Sequence, residues 1–423
     1  MVNIRIDGAM TLEGRAVDLA IEDGSIVSIS PPGSSRTEAE YVIDASGDLL
    51  MPGFCNSHTH APMSILRGVG EDMELNEWLQ TRIWPMEARM KKEHLKAGME
   101  LACLEMIRTG TTLFNDMYFR EGDLAEVVSG TGIRAFLGEG FLDLFDEVKR
   151  EESKAATLKT LRKIEEIGDP MVKGTLAPHA VYTVSEEGLS WCSEEAERRR
   201  IPFHIHLSET ENEVTDLKRN KGCSPVEYLE GMGILGENTI AAHSVHLSDL
   251  DIELISKRGC TVSHLPVSNM KLCVGGSLRM DQLLKSGTRI TIGTDGAASN
   301  NSLDMFGSMK FAALLAKHRF GASSIRARDV LKMATRSGYE AFGLHGGELT
   351  EGALADMILL DRKHHSLIPR NDMISNVVYS ASGDCVKHSI IGGEIVMKDR
   401  KVKGEDVILQ RAESSAETLR EMV

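Results

Sequence analysis

The sequence predicts an α/β protein: a closed (β/α)8 TIM barrel carrying a small β-sandwich assembled from both chain ends. Three observations predict it. Short apolar runs alternate with amphipathic helical stretches from Met51 to about Gly343. Both termini instead show the two-residue alternation of half-buried strands. The most polar motifs of the chain fall at the ends of apolar runs, as active residues fall at the C-terminal strand ends of a barrel.

The elements follow in order. Val17-Asp18-Leu19-Ala20-Ile21-Glu22 alternates, Asp23-Gly24 makes a tight turn, and Ser25-Ile26-Val27-Ser28-Ile29 resumes the alternation. Barrel strands are expected over 53–60, 111–117, 133–140, 172–178, 202–207, 239–245, 261–265 and 289–294. A helix over 91–108 carries apolar Leu95, Met99, Ala102, Met106 and Ile107, and one over 148–167 is strongly charged on one face. Ser185, followed by Glu186 and Glu187, reads as the N-cap of another. A doubly wound sheet is disfavoured because no Gly-x-Gly-x-x-Gly follows the first strand.

Beyond the barrel, Met357-Ile358-Leu359-Leu360 and a pair of strands turning at Gly392-Gly393 return to β-structure. The expected units are therefore a barrel over 51–346 and a composite β-sandwich from 1–50 and 347–423. A helix over 407–422 is expected to pack on a neighbouring subunit or to cover its own β-sandwich.

Composition narrows the function. With 42% hydrophobic and 26% charged residues the 423-residue chain is an ordinary globular protein, not a disordered one. A net charge of −15 disfavours nucleic acid and anionic membrane as partners, since both would be repelled. The seven cysteines are odd in number and show no Cys-x-x-Cys spacing, so neither a disulfide framework nor a zinc ribbon is indicated. No basic-then-apolar leader opens the chain. A cytoplasmic setting is expected.

The chemistry lies at four strand ends. His58-Thr59-His60 places two imidazoles on one strand face, because residues two apart point the same way. His206-Leu207-Ser208-Glu209, Ala242-His243 and Gly293-Thr294-Asp295-Gly296 supply the rest. His58, His60, His206 and Asp295 form a mixed nitrogen and oxygen ligand set for one divalent metal per chain. Zinc is the first expectation, and iron or manganese suits the same donors. Such a metal makes water acidic enough to act at neutral pH. Glu209 is placed to shuttle a proton, and His243 to polarise the attacked centre or to help hold the hydroxide. His179 ends the fourth strand at the same mouth. The only nearby lysine, Lys173, is about 20 Å back along the strand at ~3.3 Å per residue, which disfavours a lysine-bridged metal pair. His204 is read as packing outside the barrel without a functional role. His246 and His264 either flank the site or are structural.

With those residues in hand, the chain resembles the amidohydrolase superfamily, specifically its deaminases of S-adenosylhomocysteine, 5′-methylthioadenosine and 5′-deoxyadenosine. The resemblance rests on Met51-Pro52-Gly53-Phe54 before His58-Thr59-His60, then on Glu77-Trp78-Leu79 and Trp84-Pro85-Met86-Glu87. It continues through Ala177-Pro178-His179, the three motifs above, and Gly352…Ala355-Asp356. It implies hydrolytic deamination of a 5′-modified adenosine at C6. Glu87 would bind the ribose hydroxyls and His179 the nucleoside. Glu209 would protonate the purine ring, and Asp295 would be both metal ligand and proton acceptor. A homo-oligomer, dimer or tetramer, is implied as well. One position departs: Glu139 stands where members that take S-adenosylhomocysteine well carry Arg. A carboxylate there would repel the amino-acid carboxylate, favouring 5′-deoxyadenosine and 5′-methylthioadenosine, whereas Lys149, Arg150 or Lys154 would offset it if the following loop folded inward. The same scaffold also serves guanine, cytosine or triazine hydrolysis, and a metal-free scaffold protein is the non-enzymatic alternative.

Overall fold

The computed structural model describes residues 2–34, 37–73 and 75–422. Eight parallel strand positions occur in chain order: Phe54–Thr59, Thr111–Tyr118, Arg134–Phe141, Val172–Gly174 with Ala177–Pro178, Phe203–Leu207, Thr239–His243, Thr261–His264 and Arg289–Ile292. They pair in two runs, one holding the first four and the other the last four. Two seams join the runs into a barrel. His204 N donates to Leu176 O (2.8 Å) and His206 N to His179 O (3.0 Å) at one seam, and Asp295 N donates to His58 O (3.0 Å) at the other. The second seam needs Gly293, where a Cβ would stand 2.9 Å from both the backbone N and O of His58. Only glycine lets the eighth strand come this close to the first.

Helices fill the connections, as the apolar periodicity predicts. Lys92–Arg108 buries Leu95, Met99, Ala102, Met106 and Ile107, the five residues expected on its inner face. Glu147–Ile167 ends at Gly168 in the left-handed region, and glycine takes that C-terminal conformation without steric cost. Ser185 caps Glu186–Arg199, its Oγ accepting from Gly188 N at 3.1 Å.

The chain ends contribute nine strands hydrogen-bonded as one sheet. Its apolar core holds Ile4, Ile6, Leu19, Ile21, Ile43, Met357 and Leu359. The strand Asp48–Pro52 pairs antiparallel with Met357–Asp361, so the terminal sheet runs two residues past the expected boundary at 50. Asp356 ties the two parts together. Arg134 Nε donates to Asp356 Oδ2 at 2.7 Å, and Tyr339 Oη donates to the same oxygen at 2.9 Å, all out of solvent. A buried charge persists only when paired this way.

The C-terminal helix lies chiefly against the barrel rather than over the terminal sheet. Glu405–Glu421 packs on the barrel helix Lys92–Arg108 of its own chain. Ala412 and Leu419 are its buried residues, and Arg411 Nη1 meets Glu100 Oε2 at 2.6 Å. No helix among the described residues is long and apolar enough to cross a membrane. All seven cysteines are free thiols.

Candidate active site and metal centre

The first barrel strand is not regular. Its pairing with the second slips between Asn56 and Thr59, the kind of irregularity that re-aims side chains beside active sites. Asp116 on the second strand grips the far side of the slip. Its Oδ1 accepts from Thr59 Oγ1 (2.6 Å) and from Ala61 N (2.7 Å), fixing the backbone on either side of His60.

His58, His60 and His206 converge inside the barrel mouth with His243 and Asp295. His60 Nε2 is 3.3 Å from His206 Nε2 and 3.3 Å from Asp295 Oδ1, and His58 Nε2 is 3.4 Å from the same oxygen. Two overlapping groups, His58–His60–His206 and His58–His243–Asp295, bring their ligand atoms within 4.8 Å of one another. His58 Nε2 is buried and has no hydrogen-bond partner. A lone polar atom facing two other imidazoles and a carboxylate is what a divalent metal would complete. The donor set therefore fits such an ion.

The surroundings are tuned for neutral imidazole and ionised carboxylate. Burial pushes His58 down to about 3 and His206 well below the ordinary imidazole value. Burial alone would raise Asp295, but the facing imidazoles hold it well below the usual carboxylate range. Its Oδ2 accepts from Ser268 Oγ (2.5 Å) and Ser299 Oγ (3.1 Å), leaving Oδ1 turned to the histidines.

Beside this cluster lies an acid–base pair. His243 Nδ1 is 2.8 Å from Asn269 Oδ1 and 3.5 Å from Glu209 Oε1. Burial works against charge on His243, yet the Glu209 and Asp295 carboxylates together raise it above the ordinary value. Burial raises Glu209, partly offset by His243. Ser208, His243, Ser244 and Asp295 all sit in the left-handed region, with φ between 51° and 68°. Such backbone costs about 1–3 kcal/mol per residue and concentrates at functional sites.

Glu213 steadies the turn after His206. Its carboxylate accepts from Ser208 N (2.9 Å) and Glu209 N (2.8 Å), while burial raises it to about 7. That lies above the ordinary unfolded value of about 4.3. The folded state therefore keeps a proton that the unfolded chain gives up. The resulting stability is complete below the unfolded value and is lost as pH rises through about 7. Between pH 5 and 8, the wild-type Tm is expected to fall a few degrees further than that of Glu213→Gln, measured calorimetrically. Equal slopes would exclude this titration.

Glu87 overhangs the mouth, its Oε1 accepting from Tyr118 Oη at 2.5 Å, and the Tyr118 ring is 6.4 Å from that of His60. The His179 ring stands 4.8 Å from that of His206, and its Nδ1 is 2.9 Å from Thr183 Oγ1. The eight residues expected from the sequence thus lie around one opening. Tyr118, Asn269, Ser268 and Ser299 were not anticipated. Pro266, opening a helix straight after the strand Thr261–His264, was the available signal for Ser268 and Asn269. His246 is held apart by Val274 O (2.7 Å).

Two expectations fail. His204 does not pack outside the barrel: its Nε2 is 2.8 Å from His58 Nδ1 and its Nδ1 is 2.8 Å from Asn115 Nδ2. Residues two apart in a strand share a face, so His204 lies on the His206 side. Glu139 does not face a substrate. Its carboxylate accepts from Arg120 N (2.7 Å), Glu121 N (3.0 Å) and Thr160 Oγ1 (2.6 Å) at the start of the helix Glu121–Thr131. Burial raises the Glu139 carboxyl, and the otherwise unpaired N–H groups of the helix N-terminus partly offset that.

A family model described as the amidohydrolase family matches residues 49–396, and the chain belongs to that family. Over 90% of its length it is 46% identical to a 5-methylthioadenosine/S-adenosylhomocysteine deaminase of Thermococcus sibiricus, covering 89% of that protein. It is 45% identical to a 5′-deoxyadenosine deaminase of Methanoregula boonei, over 91% of this chain and 87% of the relative. Among solved structures, an adenosine deaminase from Xanthomonas campestris with bound zinc superposes with a TM-score of 0.94. It is 31% identical, with 99% of both chains covered.

Proposed function

We propose that this protein is a metal-dependent hydrolytic deaminase of 5′-modified adenosines, yielding the inosine analogue and ammonia. The observation that carries the reading is the meeting of three imidazoles and Asp295 beside the Glu209–His243 pair, with Glu87 overhanging the same opening. The names of the relatives at 45% and 46% identity support the substrate class.

His58, His60, His206 and Asp295 would hold one divalent ion, zinc first, with iron or manganese acceptable to the same donors. When bound, the ion lowers the pKa of a coordinated water to about 7. Asp295 takes a proton from the water as its oxygen adds to C6, and returns that proton to the departing amine. Glu209, kept protonated more readily by burial, delivers a proton to the ring nitrogen and is restored by the second water proton. His243 holds Glu209 in line and faces the oxygen as it adds. Glu87, acceptor-only when ionised, binds the ribose hydroxyls, and His179 lines the nucleoside pocket. Ammonia leaves and a hypoxanthine ring remains.

The 5′ preference rests on the rim of the mouth rather than on Glu139. Phe119, Leu144, Phe145 and Tyr182 are exposed apolar side chains just past the second, third and fourth strands. Arg150 Nη1 is already 3.3 Å from Ser185 Oγ and 3.7 Å from Glu187 Oε2, and Lys154 Nζ is 2.8 Å from Glu151 Oε1. An apolar rim with those cations engaged favours 5′-deoxyadenosine and 5′-methylthioadenosine over S-adenosylhomocysteine. The free thiols support a cytoplasmic setting.

Ammonia release with zinc-loaded protein tests this on 5′-deoxyadenosine, 5′-methylthioadenosine, S-adenosylhomocysteine, adenosine and guanine. The first two are expected to give the highest kcat/KM. An equal or higher value for S-adenosylhomocysteine would overturn the preference. No turnover of any adenosine would overturn the substrate class.

A further inference from the structure

The three imidazoles that face one another through Nε2 are oriented in two different ways. His60 Nδ1 is 2.6 Å from Met117 O, and His206 Nδ1 is 2.9 Å from His179 O. A carbonyl oxygen can only accept, so each Nδ1 carries the proton and each Nε2 is left with its lone pair. Backbone alone settles those two rings.

His58 has no such anchor. Its Nδ1 meets His204 Nε2, which can donate or accept, and His204 Nδ1 meets the Asn115 side-chain amide, which can also do either. All three residues are fully buried. Hydrogen-bond polarity therefore passes along the chain Asn115–His204–His58 as a unit. With the amide nitrogen towards His204, His204 Nδ1 accepts, His204 Nε2 donates, and His58 Nδ1 accepts. The remaining proton then sits on His58 Nε2 and blocks a metal. With the amide oxygen towards His204 every bond reverses, and His58 Nε2 presents a lone pair. The nitrogen-facing arrangement also lets Asn115 Nδ2 donate to Ser57 O at 3.2 Å but leaves Oδ1 buried without a partner. The reversed amide gives Oδ1 the His204 N–H and gives up the Ser57 bond, a cost that zinc binding to His58 has to meet.

We infer that His204, set by Asn115, is a positioning residue that selects the metal-binding tautomer of His58. This rests on the metal reading above. Groups that orient a ligating histidine are worth about 10–100-fold in metal affinity.

The test is zinc affinity by chelator competition, with the visible spectrum of the cobalt-substituted protein as a second readout. The proteins are the full-length wild type, His204→Phe, His204→Gln and Asn115→Asp. His204→Phe keeps a flat ring but cannot accept from His58, and should bind zinc about 10–100-fold more weakly with an altered cobalt spectrum. His204→Gln offers an oxygen to His58 Nδ1–H and should recover most of the affinity. Asn115→Asp can only accept, locks the productive polarity, and should bind at least as tightly as wild type. Wild-type affinity in His204→Phe, or a tenfold loss in Asn115→Asp, overturns the inference. Should His204→Phe fail to fold, the other two variants still decide it. Absence of zinc binding by the wild type would instead sink the metal reading itself.

Discussion

Replacing Glu209 by Gln is expected to lower kcat by about 10²–10⁴-fold while zinc content stays that of the wild type. The amide matches the carboxylate in shape but cannot carry a proton between water, ring nitrogen and amine. Glu209 is suited to that task because burial raises its pKa while His243, 3.5 Å away, keeps ionisation within reach. It stands apart from the two groups whose ligand atoms cluster for a metal, so loss of activity should not accompany loss of the ion. Steady-state kinetics on 5′-deoxyadenosine with metal analysis of the same samples checks both halves. A kcat within tenfold of wild type would remove Glu209 from proton transfer.

Asp295→Asn should be as damaging, and should show it in both readouts. Asp295 Oδ1 lies between His58 and His60 while Oδ2 accepts from Ser268 and Ser299. The histidines hold it ionised far below the usual range, so the site is built around its negative charge. Asparagine removes that charge and turns either oxygen or nitrogen to partners that expect a carboxylate. Less than one equivalent of zinc should survive dialysis. Even at saturating zinc, kcat should stay about 10²–10⁴-fold down, because the proton acceptor is gone. Full recovery on adding zinc would reduce Asp295 to a ligand alone.

The metal-facing cluster was legible because strand ends carry short-range information. His58 and His60 lie two apart, and Glu209 follows His206 by one turn of chain, so pattern alone groups them. The interruption of the fourth strand between Gly174 and Ala177 escaped notice, since it depends on pairing with strands on either side. His204 was legible too, by the same two-residue rule that groups His58 with His60. Its partners were not: Asn115 and His58 come from strands far away in the chain.

By itself, then, the sequence determined the barrel, the β-structure of both termini, and the four strand ends that face one opening. Each follows from local periodicity, which needs no knowledge of distant contacts. Tertiary structure alone decided where ambiguous polar groups spend their hydrogen bonds. It gave Glu139 to a helix N-terminus rather than to a substrate, Arg150 and Lys154 to neighbouring acids and a hydroxyl, and the C-terminal helix to the barrel. A buried donor or acceptor must find a partner, and which partner it finds is set by strands and helices brought together only by the closed fold.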